Sequence, residues 1–377
     1  MATRRRFLKL GAAIGSGIAL SSVLPVNAFA QNKQDTGKKY TFKIGTLENG
    51  KHNLITDVAG IEVGHKTLND GEIQTGVTAI FPHKNNTFKN KLVAACHVIN
   101  GFGKTLGLMQ LEELGNIETP IVLTNTLNVG IAHDTLVRYM LSTNDDIGAT
   151  TGTVNPIVCE CNDGGLNNIR AMSVTQKDVM DALNNTSVIF EEGSVGAGRG
   201  MRCHGLKGGI GSSSRVIELN NKKYTIGALL LTNHGSFSEL VIDGKNISQE
   251  LKKVEVNKDK GSVIIILATD APLCSRQLKR ICKRAVIGLG RAGSYVGNGS
   301  GDLAIAFSTA NVTKHYNDTA TETFETIIND EMDIFFRATV DVVQESVVKS
   351  LLAATPVIGR KGRKYETLTE VLNKIKF

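Results

Sequence analysis

The stretch Gly261-Ser262-Val263-Ile264-Ile265-Ile266-Leu267-Ala268 leaves a chain few ways to fold. After Ser262 it is an unbroken apolar run of strand length. A strand with one face in water would alternate, so this one must be covered on both faces. It follows abruptly on Lys252–Lys260, KKVEVNKDK, which is polar and charged. Downstream, Asp270 is expected to cap a helix entered through Pro272, a favoured first-turn residue. In that helix Leu278, Ile281, Cys282, Ala285 and Leu289 fall at helical spacing. Arg276, Lys279, Arg280, Lys283 and Arg284 occupy the opposite face, which reads as a solvated face, with an anion site as the alternative. Met332–Leu352 predicts a second amphipathic helix, with Met332, Phe335, Phe336, Val340, Val343, Val347 and Leu351 inward. A doubly covered strand beside amphipathic helices requires a layered α/β or α+β fold.

The same alternation runs through the rest of the chain. Leu92–Ile99, Pro120–Thr124, Pro156–Glu160 and Ile226–Thr232 read as buried strands, and Thr105–Leu114 and His133–Leu141 as helices. Thr175 is a predicted N-cap, with Asp178 in the first turn of another helix. There is no internal repeat and no low-complexity tract. The length of 377 residues is enough for one large domain or two ordinary ones.

The first thirty residues read as an address. Thr3-Arg4-Arg5-Arg6-Phe7-Leu8-Lys9 is a twin-arginine export pattern, followed by an apolar stretch from Leu10 to Leu24. Ala28-Phe29-Ala30 offers small residues for a signal peptidase, which predicts cleavage before Gln31. The apolar stretch is interrupted by Gly and Ser and is short for the roughly 20 residues of a spanning helix. The mature protein is therefore expected to be free of the membrane and periplasmic, or secreted. Gln31–Lys39 reads as a polar leader. The net charge of +7 includes four basic residues from the address, and the +3 that remains is too small to argue for nucleic acid. Cys96, Cys159, Cys161, Cys203, Cys274 and Cys282 would enter an oxidising compartment, where an even count permits disulfides without requiring them. Cys274 and Cys282 are expected two turns apart on one helix, and buried small hydrophobes is the favoured reading for all six.

Two segments draw attention as sites. Gly193-Ser-Val-Gly196-Ala-Gly198-Arg-Gly200-Met201 is dense in glycine, but its spacing departs from a dinucleotide loop and it continues into Gly205, Gly208, Gly209 and Gly211. A backbone loop lining a substrate pocket is expected instead. At Gly261-Ser262, a polar segment enters a buried strand. A serine hydroxyl is a weak nucleophile and needs a base. Breaking the Gly261–Ser262 bond would give Ser262 an α-amine with a pKa of about 7.7–8.0, a base carried by the nucleophile itself. Read from the residues alone, a turn is the default for such a pair.

The segments EEGSVGAGRGMRCHGLKGGIGSSSRV, LLLTNHG, KGSVIIILATDAPLCSRQLKRICKRA and GNGSGDLAIAFSTAN resemble the L-aminopeptidase D-esterase/amidase family, peptidase family S58, which includes the β-peptidyl aminopeptidases. AGIEVGHKT and ECNDGGLNNI fit it too, and the resemblance runs from about residue 40 to 355 in one order. It implies a four-layer α-β-β-α sandwich, similar to N-terminal nucleophile hydrolases but differently connected. It implies one domain, residues 31–377, that cuts itself between Gly261 and Ser262. The products would be an α chain of residues 31–261 and a β chain of residues 262–377, with Ser262 the nucleophile.

The resemblance makes Ser300 and Asp302 the second serine and its acidic partner, which orient the Ser262 amine. It makes Asn233 an oxyanion donor and Glu160 the acid that binds the substrate's free amino group. It implies no metal or organic cofactor, a small peptide or aminoacyl amide or ester as substrate, and a homo-oligomer of αβ units. One departure is plain: relatives carry an aromatic residue just after this glutamate, whereas Cys161, Asn162, Asp163, Gly164 and Gly165 follow here. The leading expectation is an autoprocessed serine aminopeptidase. An acyltransferase using the same acyl-enzyme, like the ornithine acetyltransferases, and a non-catalytic periplasmic binding protein are the competing readings.

Overall fold

Successive residues of the strand Ser262–Thr269 face two different cores, which is why its sequence does not alternate. Val263, Ile265 and Leu267 pack with Leu278, Ile281, Val343 and Val347. Ile264, Ile266 and Ala268 pack with Ile80, Ile121, Leu123 and Cys159. The computed structural model describes residues 40–251, 259 and 261–375. The export address, the polar leader and all of Lys252–Lys260 except Asp259 lie outside the described residues.

The principal strands are β1 (Glu62–Asp70), β2 (Ile73–Phe81), β3 (Asn90–Gly101), β4 (Ile121–Asn125), β5 (Ile157–Cys161), β6 (Ile210–Leu219), β7 (Lys222–Asn233), β8 (Ser262–Thr269) and β9 (Gly301–Lys314). They form two sheets. One has the order β5-β4-β2-β1 with the short Thr186–Ser187 strand at its edge. The other has the order β6-β7-β8-β9-β3, edged by Asn116–Ile117. The principal helices are α1 (Val129–Thr143), α2 (Gln176–Asn184), α3 (Ser275–Arg291) and α4 (Met332–Leu352).

Three cores stack these elements into four layers. The apolar faces of α3 and α4 meet the β8 sheet. The two sheets meet each other in the second core. Val77, Ala79, Val122 and Val158 of the β5 sheet then meet Ala132 and Leu136 of α1 and Val179 and Leu183 of α2. The fold is thus the expected α-β-β-α sandwich. Burying each Val or Ile of β8 contributes about 1.5–3 kcal/mol, so the strand that carries Ser262 is anchored from both sides.

The four expected strands are present, each within two or four residues of its forecast ends. Thr175 caps α2 as predicted, with the Asp178 side chain returning to the Thr175 N–H at 2.9 Å. Three helix starts differ, and α1 begins at Val129, four residues before the expected His133. The helix expected from Thr105 spans only Leu108–Glu113, because Leu106 bridges to Val158 of β5 and Gly107 turns at φ 90°. A side chain at Gly107 would lie 2.4 Å from the Pro156 carbonyl. Asp270 does not cap α3. Its carboxylate accepts the Thr225 N–H at 2.6 Å, and α3 starts at Ser275 behind Cys274, whose N–H is held by Gln277. Cys274 is therefore the N-cap and not a helical residue. All six cysteines are free thiols, five of them buried and Cys274 half-buried.

The basic face of α3 is a solvated face with partners: Lys279 pairs with Glu112, and Arg284 lies 3.9 Å from the centre of the Phe336 ring. No helix among the described residues is long and apolar enough to cross a membrane.

Candidate active site

Three strand ends meet at one rim of the β8 sheet. Asn233, the last residue of β7, pairs with Ser262, the first of β8, and Ser262 pairs with Gly301, the first of β9. The apolar strands are fixed in register by their cores, so the polar residues at their ends are held side by side. With the Gly261–Ser262 bond intact, Ser262 Oγ donates to the Gly261 carbonyl at 2.7 Å, and the Gly301 N–H donates to the same oxygen at 3.3 Å. Gly261 admits no side chain: a Cβ there would lie 1.8 Å from the Asn233 carbonyl oxygen.

Ser300 and Asp302 stand beside this row. Ser300 Oγ donates to Asp302 Oδ1 at 2.6 Å, and both side chains are buried. Asp302 Oδ2 is buried without a partner. Burial pushes the Asp302 carboxyl up to about 6; the Ser300 hydrogen bond opposes this and the Asp259 charge adds to it. Asn100, opposite Asp302 on β3, ties down the loop before β9 by donating to the carbonyls of Ser300 and of Gly297, the latter at 3.0 Å.

Asn233 is held at both ends of its amide. Its Oδ1 accepts the Arg202 N–H at 3.1 Å, and its Nδ2 donates to the Asn162 carbonyl at 3.0 Å. Nδ2 carries two N–H groups, so one donor remains for a developing negative charge. The contact with Asn162 joins the two sheets, because Asn162 directly follows β5. Glu160, two residues earlier, is buried, accepts the Lys104 N–H at 2.8 Å on Oε1 and accepts the Thr126 hydroxyl on Oε2. Gly103 connects Glu160 to the serine row: a Cβ on it would lie 3.8 Å from Glu160 Oε1 and 3.8 Å from Gly301 Cα. The structure therefore brings Ser262, Ser300, Asp302 and Asn233 to one rim, with Glu160 approaching from the other sheet.

Sequence reading missed Thr126, Lys104 and Asn100. Thr126 opens a 3-10 turn whose N–H groups at Leu127 and Asn128 are taken by the Asn125 side chain. The Asn-Thr-Leu-Asn pattern after a buried strand signals that cap, but not that its threonine faces a carboxylate. Asp163 was named only as a neighbour of Glu160; it is fully buried, and desolvation pushes its carboxyl up to about 7. A different aromatic, Tyr365, packs against the Gly165 backbone. The Tyr365 hydroxyl lies 3.2 Å from where a Gly165 Cβ would stand, and the ring lies 5.9 Å from the Arg202 guanidinium. A C-terminal strap delivers it: the Arg360 N–H donates to the Leu166 carbonyl at 2.6 Å and Arg363 donates to the Gly165 carbonyl at 3.0 Å.

The glycine-rich segment is a tightly packed loop that leads into Arg202, whose N–H holds Asn233. Its glycines permit close packing: a Cβ at Gly209 would meet the Gly193 carbonyl at 1.8 Å. The buried Lys207 then staples the loop by donating to the carbonyls of Gly198, Met201 and Gly208. Cys203, His204 and His234 place donor atoms within 4.8 Å of one another, the one such grouping among the described residues. His204 Nδ1 pairs with the Ser236 carbonyl at 3.0 Å, and burial lowers the affinity of both imidazoles for a second proton. His234 of this group directly follows Asn233 in the chain.

Residues 53–365 match peptidase family S58. Among curated proteins, the chain is 35% identical over 339 residues to the β-peptidyl aminopeptidase BapA of Sphingosinicella microcystinivorans, covering 83% of this chain and 84% of that one. Among solved structures, the PH0078 protein of Pyrococcus horikoshii OT3 matches with 48% identity and a TM-score of 0.85, over 89% of this chain and 97% of that chain. The L-aminopeptidase D-Ala-esterase/amidase of Ochrobactrum anthropi, described as a prototype for the serine aminopeptidases and a new variant of the Ntn hydrolase fold, matches with 36% identity and a TM-score of 0.80, over 90% and 96%.

Proposed function

Because the chain belongs to peptidase family S58 and is a hydrolase of the aminopeptidase and amidase class, we propose that Ser262 is its nucleophile, freed as an N-terminal residue by self-cleavage after Gly261. The observation that carries this reading is the row Asn233–Ser262–Gly301, with the Ser300–Asp302 pair beside it. An N-terminal Ser262 has a base on its own α-carbon. Ionised Asp302 fixes the Ser300 hydroxyl, and Ser300 in turn orients the Ser262 amine. Oγ attacks the substrate carbonyl and gives its proton to that amine, which passes it to the leaving amine. Water then releases the acyl group.

In this reading a substrate acyl group takes the place of the Gly261 acyl group, whose oxygen Ser262 Oγ contacts at 2.7 Å. The Gly301 N–H that holds its oxygen becomes available once Gly261 has left. Together with the spare N–H of Asn233 it forms an oxyanion site. Glu160 receives the substrate's ammonium. Each of its oxygens accepts one hydrogen bond from the protein and has room for another. This favours peptides, amides or esters with a free N-terminal amine. Nothing in the fold or among the relatives favours the acyltransferase or binding-protein reading.

The proposal includes export through the twin-arginine address and release into the periplasm as residues 31–377. It also includes assembly of αβ units, for which the exposed side chains of Val98, Phe102, Met109 and Leu114 offer an apolar surface. Intact mass under denaturing, reducing conditions tests the central claim. Two masses matching 31–261 and 262–377 are expected from the native chain, and one uncut, inactive chain from Ser262→Ala. A Ser262→Ala protein that still splits and still hydrolyses aminoacyl amides overturns it.

A further inference from the structure

Asp259 is the one described residue in the segment before the scissile bond, and its carboxylate does not face water: the residue is 4% exposed. Oδ1 accepts the Gly235 N–H at 3.0 Å and the Gly261 N–H at 3.3 Å. Oδ2 accepts the Gly297 N–H at 3.4 Å. A bond to Gly261 alone would be an ordinary Asx turn. The other two reach different loops. Gly235 is two residues beyond Asn233, and Gly297 is three residues before Ser300. One carboxylate therefore ties together the three backbone segments that carry Asn233, Ser262 and Ser300. Gly297 is packed tightly for this contact, since a Cβ there would lie 2.9 Å from the Asp259 Cβ. The Asp259 N–H is itself held by the Tyr295 hydroxyl at 3.0 Å.

We propose that Asp259 is the positioning residue of self-cleavage, clamping the Gly261 peptide so that its carbonyl stays between Ser262 Oγ and the Gly301 N–H. The inference rests on the reading that the chain splits before Ser262. In that step Ser262 Oγ bonds to the Gly261 carbonyl carbon, and the bond from that carbon to the Ser262 nitrogen breaks. The hydroxyl proton ends on that nitrogen, giving an ester. Water then cleaves the ester, its hydroxyl completing the Gly261 carboxyl group and its proton restoring Ser262 Oγ. Oγ and the Gly301 N–H already contact the carbonyl oxygen, so the remaining requirement is that Gly261 be held still against them. A carboxylate gripping the N–H of that same residue does so.

The charge of Asp259 also reaches Asp302. Among the described residues, the titratable groups facing Asp259 are Cys203, His204 and Asp302, and burial keeps the thiol and the imidazole neutral. Asp302 faces Asp259 and the neutral thiol of Cys161. Removing the charge at 259 is therefore expected to lower the pH at which Asp302 ionises.

The test follows uncut full-length chain to cut chain by intact mass against time and pH, for the native protein, Ser262→Ala, Asp259→Ala and Asp259→Asn. Asp259→Ala loses all three bonds. Asp259→Asn keeps Oδ1 but presents an amide donor to the Gly297 N–H. We expect splitting to slow about 10-fold in Asp259→Asn and about 100-fold in Asp259→Ala, with circular dichroism unchanged. Ionised Asp302 also holds Ser300 beside the uncut bond, so splitting is expected to have an acid limb set by Asp302, and in Asp259→Asn that limb should move to lower pH, which a merely structural fault would not produce. If Asp259→Ala does not fold, the Asp259→Asn rate and limb decide. Folded Asp259→Asn that splits at the native rate, or whose acid limb stays in place, overturns the proposal for Asp259 alone. A native chain that never splits overturns the cleavage reading itself.

Discussion

The β8 sheet and the β5 sheet bring different chemistry to the same rim. The first contributes three adjacent strand ends, Asn233, Ser262 and Gly301, with Ser300 and Asp302 immediately beside them. Their positions follow from sheet register, which the two flanking cores fix. The second contributes one carboxylate, Glu160, whose direction is set by a threonine and a backbone N–H from two loops. In the proposed mechanism, the groups that meet the reacting carbon thus stand on the rigid side, and the group that meets the substrate's amine stands on the loop-supported side. If this division is right, changes in the first sheet lower kcat, and changes in the second raise KM.

The largest effect is expected from Asn233→Ala. Loss of one oxyanion donor costs about 10²–10³-fold in kcat. It also frees the Arg202 N–H and the Asn162 carbonyl, so a modest loss of thermal stability should accompany it. Steady-state kinetics on the processed enzyme is the check. A change confined to KM would break the comparison on its rigid side.

Glu160→Gln should give the complementary result: kcat/KM lower by about 10–100-fold, carried mostly by KM, because a charged hydrogen bond to the ammonium becomes a neutral one. An ester or amide of an acid that lacks the amine should be hydrolysed equally by both proteins. A fall in kcat for that substrate too would mean that Glu160 meets the reacting centre.

These two sides also differ in how far the sequence reveals them. The β8 strand, α4 and the inward face of α3 were readable because each buries a long apolar pattern, and burial leaves its mark residue by residue. The Asp270 cap was misplaced because a competing donor, the Thr225 N–H, lies on a strand distant in sequence. Ser262 drew attention at the entry to its apolar strand but became a nucleophile only by resemblance, and Asn233, Glu160, Ser300 and Asp302 were identified by resemblance alone. Locally each is a polar residue beside a glycine or at a strand end, indistinguishable from a turn. Thr126 and Tyr365 could not be found at all, since their partners stand 34 and 200 residues away in the chain.

The pH dependence sharpens the comparison further. Asp302 is held up to about 6 by burial, so it ionises above that pH and is neutral below it. If the ionised form is what positions Ser300, activity of the processed enzyme falls as the pH drops through about 6, and Asp302→Asn lowers kcat while flattening this limb. Glu160→Gln should leave the limb where it is. A limb that vanishes in Glu160→Gln and persists in Asp302→Asn would assign the titration to the wrong sheet for the proposed mechanism.

The smallest effect is expected at Tyr365, which tests whether the C-terminal strap belongs functionally to the loop-supported side. Its ring covers Gly165 and lies 5.9 Å from the Arg202 guanidinium, and Arg202 is the residue whose N–H holds the Asn233 amide. Tyr365→Ala removes that ring. A cation–π contact at a partly exposed site contributes about 0.5–1 kcal/mol, so kcat/KM should fall about two- to fivefold. The loss should be in KM, because the Gly164–Gly165 turn next to Glu160 loses its cover while Asn233 keeps both of its backbone contacts. Self-cleavage should run at the native rate, since nothing in the Gly261 grip passes through the strap. A kcat effect as large as that of Asn233→Ala would instead make Arg202 the link through which the strap controls the oxyanion site, and the strap would then belong with the rigid sheet.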